Sequence, residues 1–158
     1  MNLQLLQEVT AFIWQEGDML DHGEYEAWLD LWTEQGKYII PIDPAAEDFE
    51  NTLNYAYDNH HMRELRVKRL RGGESISTSP LARTVRSLSR FRVLFENETH
   101  VTVRCAQNLR ESRKDVLKHL TADVVFELKR SGDSFKIDRK LIRMINSDDT
   151  LTSVGYII

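Results

Sequence analysis

At 158 residues with 41% hydrophobic content, the chain has the size of one domain (1–158) with enough apolar side chains for a core without staples. No apolar run reaches the about 18 residues that a membrane span needs, and the opening MNLQLLQEVTAFIWQ lacks the basic segment of a secretion signal, so a cytoplasmic protein with no membrane partner is expected. A single cysteine, Cys105, excludes an internal disulfide and any iron–sulfur or zinc centre built mainly from thiolates.

The net charge of −4 conceals a polarity along the chain. Residues 1–62 hold thirteen acidic side chains against one base, Lys37, while residues 63–158 hold twelve acids against twenty bases. A pI of about 5.7 does not suit a nucleic-acid binder. Acidic and basic surfaces that meet, within a subunit or head-to-tail between neighbours in a ring, account better for the asymmetry.

Asn2 is placed to cap a helix in which Leu3, Leu6, Val9, Ile13 and Leu20 recur at helical spacing, with Gly17 weakening its middle. After a break at His22 and Gly23, EYEAWLDLW sets Tyr25, Trp28, Leu29 and Trp32 on one face of a second helix, as core or as the aromatic wall of a cavity. GKYIIPI reads as a short strand ended by Pro41, which has no N–H for a ladder, and the acidic residues 42–54 read as a surface loop.

At Asp58 the pattern turns helical again. Asp58 is the expected cap, Met62, Leu65, Arg66, Arg69 and Leu70 carry the period, and Arg71, Gly72 and Gly73 close the helix. ESISTSP, ending at Pro80, reads as an exposed connection. From Thr84 the period falls to two. Val85, Ser89, Phe91, Val93 and Phe95 are expected on one side of a strand, with Arg86, Arg90 and Arg92 on the other. A second strand alternates Val101, Val103, Cys105 and Leu109 against Thr102, Arg104, Asn108 and Arg110. A third carries Leu120, Ala122, Val124, Phe126 and Leu128 on one face. In a fourth, FKIDRKLIRMIN, the apolar face switches between Leu141 and Ile142, which predicts a bulge there. Helices followed by a meander of long strands predict an α+β domain with a sheet curled over helices.

Fourteen of the 21 bases are arginine, and most lie in or beside the strands. Arginine's weakly hydrated planar head suits a partly buried interface better than lysine's ammonium. Signals for chemistry are weak. The adjacent His60 and His61 point about 100° apart on a helix and do not match the HExxH metal spacing. His22, His100 and His119 are scattered, and no phosphate loop or nucleophile elbow is present. Tyr25, Asp30, Tyr38, Tyr55, His119 and Asp123 are residue types that a pocket could tune for acid/base work.

The order WLDLW, YIIP, YDNHHMRELRVKRL, SPLARTVRSLSRFRV and GDSFKIDRKLIRMINSDDTL resembles the small (beta) subunit of aromatic-ring-hydroxylating Rieske dioxygenases, from about Asp18 to the end. The most specific matches are Asp58, Leu65, Arg66, Val67, Arg69 and Leu70, then Pro80, Arg83, Thr84 and Arg86, then Phe135, Lys136, Ile137, Arg139, Lys140 and Ile142. The chain is shorter than the family pattern at its N-terminus and lacks the aromatic and acidic residues often found after Gly73. The resemblance implies a cystatin-like cone of the nuclear transport factor 2 and SnoaL type, a curved antiparallel or mixed sheet wrapped on N-terminal helices. It also implies a structural subunit in aromatic-compound catabolism, a homotrimer supporting large (alpha) oxygenase subunits. The Rieske 2Fe-2S cluster and mononuclear iron are then expected in the large subunit, with no catalytic, cofactor or metal residue here. On this reading Arg66, Arg69, Arg83, Arg86, Arg90, Arg92, Arg104 and Arg139 are the expected interface residues, and Arg86→Glu or Arg92→Glu should weaken assembly more than folding. The alternative is a free-standing, cofactor-independent isomerase, dehydratase or cyclase of the same fold that uses the Tyr/Asp/His set.

Overall fold

The computed structural model describes residues 1–72, 83–145 and 156–158; Gly73, ESISTSP and the SDDTL stretch lie outside the described residues. Asn2 caps the first helix as expected, its side-chain oxygen accepting the Leu5 N–H at 3.1 Å. Helix α1 (Leu3–Asp21) buries Leu5, Val9, Phe12, Ile13 and Leu20 against the sheet. Gly17 has a packing reason: a Cβ there would come within 2.8 Å of Leu88 Cδ1, so the glycine lets helix and sheet approach closely.

The second helix is shorter than its aromatic spacing predicts. Helix α2 (Tyr25–Leu29) stops before Trp32, which opens strand β1 (Trp32–Pro41). Sheet hydrogen bonding takes over at this point, since the Ile137 N–H donates to the Leu31 carbonyl at 2.7 Å. The aromatic stripe survives the change, with Trp28 and Trp32 rings edge-on at 5.4 Å. Residues 42–54 are not all loop. A 3₁₀ turn (Phe49–Asn51) precedes strand β2, Asn54–Asp58, which pairs antiparallel with β1. Helix α3 (His60–Arg71) is capped by Asn59, whose side chain accepts the Met62 N–H, and not by Asp58, which ends β2 and is fully buried.

The face that α3 buries also differs from its apolar pattern. Arg63 and Val67 point inward, while Met62 and Leu65 are each 43% exposed. Arg63 is held by flat stacking and by carbonyls: its guanidinium lies 4.2 Å from the Trp32 ring and donates to Thr33 and Gly36 oxygens.

Strands β3 (Arg83–Glu96), β4 (His100–Arg113), β5 (Val116–Ser131) and β6 (Ser134–Met144) complete one mixed sheet, ordered β2-β1-β6-β5-β4-β3. Only β1 and β6 run parallel among its neighbouring pairs. On β4 and β5 the inward residues are those the alternation predicts, from Val101 to Leu109 and from Leu120 to Leu128.

Strand β3 breaks the pattern. Arg90 adopts φ 57° and the β3–β4 register shifts between Ser89 and Arg92. Before this bulge Arg86 and Leu88 face the core and Val85 is 64% exposed; after it Phe91 and Val93 turn inward. One extra residue therefore inverts the expected faces over the first half of the strand. In β6 the bulge falls at Asp138, not at Leu141/Ile142, because the register passes from Glu127 opposite Arg139 to Leu128 opposite Ile137. Phe135 and Ile137 face inward before it, and Lys140, Ile142 and Met144 after it. Leu141 instead joins Ile39 and Phe49 in a small second core on the outer face.

Candidate assembly surface and the filled interior

The outer face of the sheet is half covered. Over β2, β1 and β6, Phe49 packs on Ile39 and Leu141, and the guanidinium groups of Arg139 and Arg143 lie 5.6 and 5.5 Å from its ring. Arg143 Nη1 also donates to the Pro44 and Ala46 carbonyls at 2.6 and 2.7 Å, tying the acidic loop down.

The β3–β4–β5 half has no such cover among the described residues. Arg92 and Arg104 are direct cross-strand neighbours there, and neither has an acidic partner among the described residues. Like charges placed directly opposite one another cost stability, unless an acceptor from outside the chain lies between them. Arg110, opposite Val85, is exposed on the same face, and Phe95, 53% exposed, adds an apolar anchor opposite Thr102.

The eight expected interface arginines divide into groups. Arg66 is an internal tie, donating to both oxygens of the buried Asp58. Arg69 is exposed on α3, and Arg83 is exposed at the start of β3. Arg90 reaches Asp123 at 2.7 Å and Arg139 pairs with Glu127, both on the outer face. Arg86 corrects the expectation: it lies in the core, donating to Asp21 and to the Ile157 carbonyl, because the Arg90 bulge turns it inward. Arg90, Arg92 and Arg104 thus share one half of one face, while Arg66 and Arg69 sit on α3, which packs against β1.

The acid/base set does not converge. Asp30 and His119 are exposed, Asp123 is engaged on the outer face, and only Tyr38 of the six is fully buried. Set into the apolar inner face instead is a buried polar network that spacing did not reveal. Glu16 and Lys140 are both fully buried, with Nζ 2.7 Å from Oε2, and Trp28 Nε1 donates to the same oxygen at 2.8 Å. Burial pulls Lys140 below the ordinary lysine range, opposed by Glu16, and pushes the Tyr38 hydroxyl well up. Glu16 gave one signal in the sequence: it falls three residues after Ile13 and four before Leu20, on the apolar stripe of α1.

Cys105 lies on the inner face with no exposure, and burial pushes its thiol up to about 12. The folded chain holds this proton more tightly than the unfolded chain, whose thiol has the ordinary value of 9.0. Stability from this group is therefore intact below pH 9.0 and is lost as pH rises toward about 12. Cys105→Ala is expected to flatten that alkaline decline, read by urea unfolding across the same window, and the native thiol should resist alkylation at neutral pH.

Residues 15–149 match the family profile described as ring hydroxylating beta subunit, more than four-fifths of the chain. The chain belongs to the ring-hydroxylating beta-subunit family. It is 26% identical over 159 residues to the small subunit of anthranilate 1,2-dioxygenase from Acinetobacter baylyi, covering 98% of this chain and 96% of that one. The beta subunit of benzoate 1,2-dioxygenase from Burkholderia mallei superposes with a TM-score of 0.77 at 23% identity, over 94% and 95% of the two chains. An NTF2-like protein with a cystatin-like fold from Novosphingobium aromaticivorans gives 0.63 at 15% identity, over 96% and 89%. The expected cone is thereby shown.

Among the described residues no three His, Cys, Asp or Glu side chains are grouped to hold a metal ion, and the one cysteine points into the apolar inner face. His60 and Glu64 form only an exposed pair along α3 at 3.2 Å. No helix among the described residues is long and apolar enough to cross a membrane.

Proposed function

We propose that this beta subunit is a structural, non-catalytic part of the oxygenase component of an aromatic-ring dioxygenase. It forms a homotrimer of single-domain subunits in the cytoplasm and supports large subunits that carry the Rieske cluster and the mononuclear iron. The relatives named above serve dioxygenases of anthranilate and benzoate, so an aromatic carboxylate is the substrate class proposed for the assembled enzyme.

The observation that carries the trimer is the asymmetry of the outer face. One half wears its own acidic loop, with Asp43, Glu47, Asp48 and Glu50, and the other half presents Arg92 and Arg104 without partners among the described residues. The two halves lie at opposite sheet edges, so the loop side of one copy meets the arginine side of the next, a heterologous contact that closes into a ring.

Co-expression with the large subunit tests the reading. The two chains are expected to purify as one complex, with iron following the large subunit and none bound by this chain alone. A chain that fails to associate, or that binds iron stoichiometrically by itself, overturns it.

A further inference from the structure

Two places at opposite edges of the sheet complement each other in polarity and charge. At the β2 edge the Ile42 N–H donates to the Leu53 carbonyl at 3.2 Å, so these two residues meet just beyond the β1–β2 ladder. Leu53 is 78% exposed and Ile42 39%. Asp43, Asp48 and Glu50 flank them in the chain, which makes an apolar knob in an acidic setting.

At the β3 edge a groove of about 1200 Å³ runs between the end of α1 and the start of β3, with an apolar wall from Trp14, Val85 and Leu117. All three side chains are more than half exposed. The charges along the groove do not cancel: His22 lies 3.3 Å from Asp18 and Arg86 is paired with Asp21, but Arg83 and Arg110 have no acidic partner among the described residues. Arg83 stands opposite Ser112 and Arg110 opposite Val85, so the two arginines are diagonal neighbours on the outer face.

An added strand does not suit this edge, because α1 already occupies it. Asp21 accepts the Arg86 N–H at 2.8 Å, and the Trp14 indole donates to the Leu88 carbonyl at 3.0 Å. What suits the groove is an apolar side chain flanked by carboxylates, and this same chain carries one. Since β2 and β3 are the outermost strands of the sheet, knob and groove face away from each other and pair head to tail between copies. We propose that the Ile42–Leu53 knob of one copy docks in the Trp14–Val85–Leu117 groove of the next, with Arg83 and Arg110 meeting the carboxylates around the knob. The contact rests on the ring reading above and gives it an apolar anchor away from Arg92 and Arg104.

Leu53→Arg tests the knob at a side chain that the fold does not need. Sedimentation should show its ring dissociating at a concentration at least about tenfold above wild type, the scale of one buried leucine lost from a contact, with the circular dichroism of wild type. In Leu53→Cys/Val85→Cys, a short bismaleimide should link copies into twos and threes, and neither single variant should pass two; Cys105 is buried and stays silent. A wild-type ring that Leu53→Arg leaves intact, or a double cysteine variant that does not link, overturns the knob and groove while the trimer stands. Links that run to a co-expressed large subunit in place of a second copy overturn it as well. A wild-type chain that never leaves the monomer overturns the ring reading, and this contact with it.

Discussion

Lys140→Met is expected to destabilise the chain by about 3–5 kcal/mol, the cost of removing one partner from a buried ion pair. Lys140 and Glu16 have no exposure, and the ammonium lies 2.7 Å from the carboxylate. Without it, Glu16 keeps only the Trp28 N–H as a donor among the described residues. The double variant Glu16→Gln/Lys140→Met should recover most of the loss, because a neutral amide still accepts from Trp28 and no charge is buried. Urea unfolding of the single and double variants reads this directly. A single variant within about 0.5 kcal/mol of wild type, the range of ordinary surface substitutions, contradicts the burial of the pair.

Arg104→Glu is expected to do the opposite, breaking the assembly while leaving the subunit slightly more stable. The substitution turns a like-charged cross-strand pair with Arg92 into an opposite one, a change of about 0.2–1 kcal/mol in favour of the folded monomer. The same change repels the acidic loop of a neighbouring copy, so trimers should give way to monomers. Reversing Glu47 and Asp48 to Arg in the same chain should restore the ring. Arg86→Glu behaves differently, because it sets a second carboxylate against Asp21 inside the core and removes the donor to the Ile157 oxygen. Its effect falls on folding, which corrects the expectation that placed Arg86 on the surface with Arg92. Size-exclusion mass and thermal unfolding of the Arg104 and Arg86 variants separate the two roles.

These two sites show what could be read along the chain. Strands β4 and β5 obey period two without a bulge, so Val101 to Leu109 and Leu120 to Leu128 declare their face directly. Strand β3 hides its first half because a single residue at φ 57° resets the alternation, and nothing in SLSRFRV marks Arg90 as that residue. The bulge in β6 left a trace as a switched apolar face, but its place at Asp138 became clear only through the pairing with β5. Strand β2 is five residues long, too short for a period to stand out. Arg63 points inward because it stacks on Trp32, a contact that no hydrophobic pattern contains.

The arginine excess on the strands was legible as an interface signal, but which arginines are spoken for was not. Arg86 finds Asp21 across 65 residues and Arg90 finds Asp123 across 33, and such partners exist only once the sheet is formed. Arg92 and Arg104 stand out because no described residue is brought to them as an acidic partner.

Sedimentation of the wild-type chain alone, over a wide concentration range, tests the ring most directly. A species of three copies, against 18.5 kDa for one chain, is the result expected from the half-covered face and its facing arginines. A species that stays at 18.5 kDa throughout the range contradicts it.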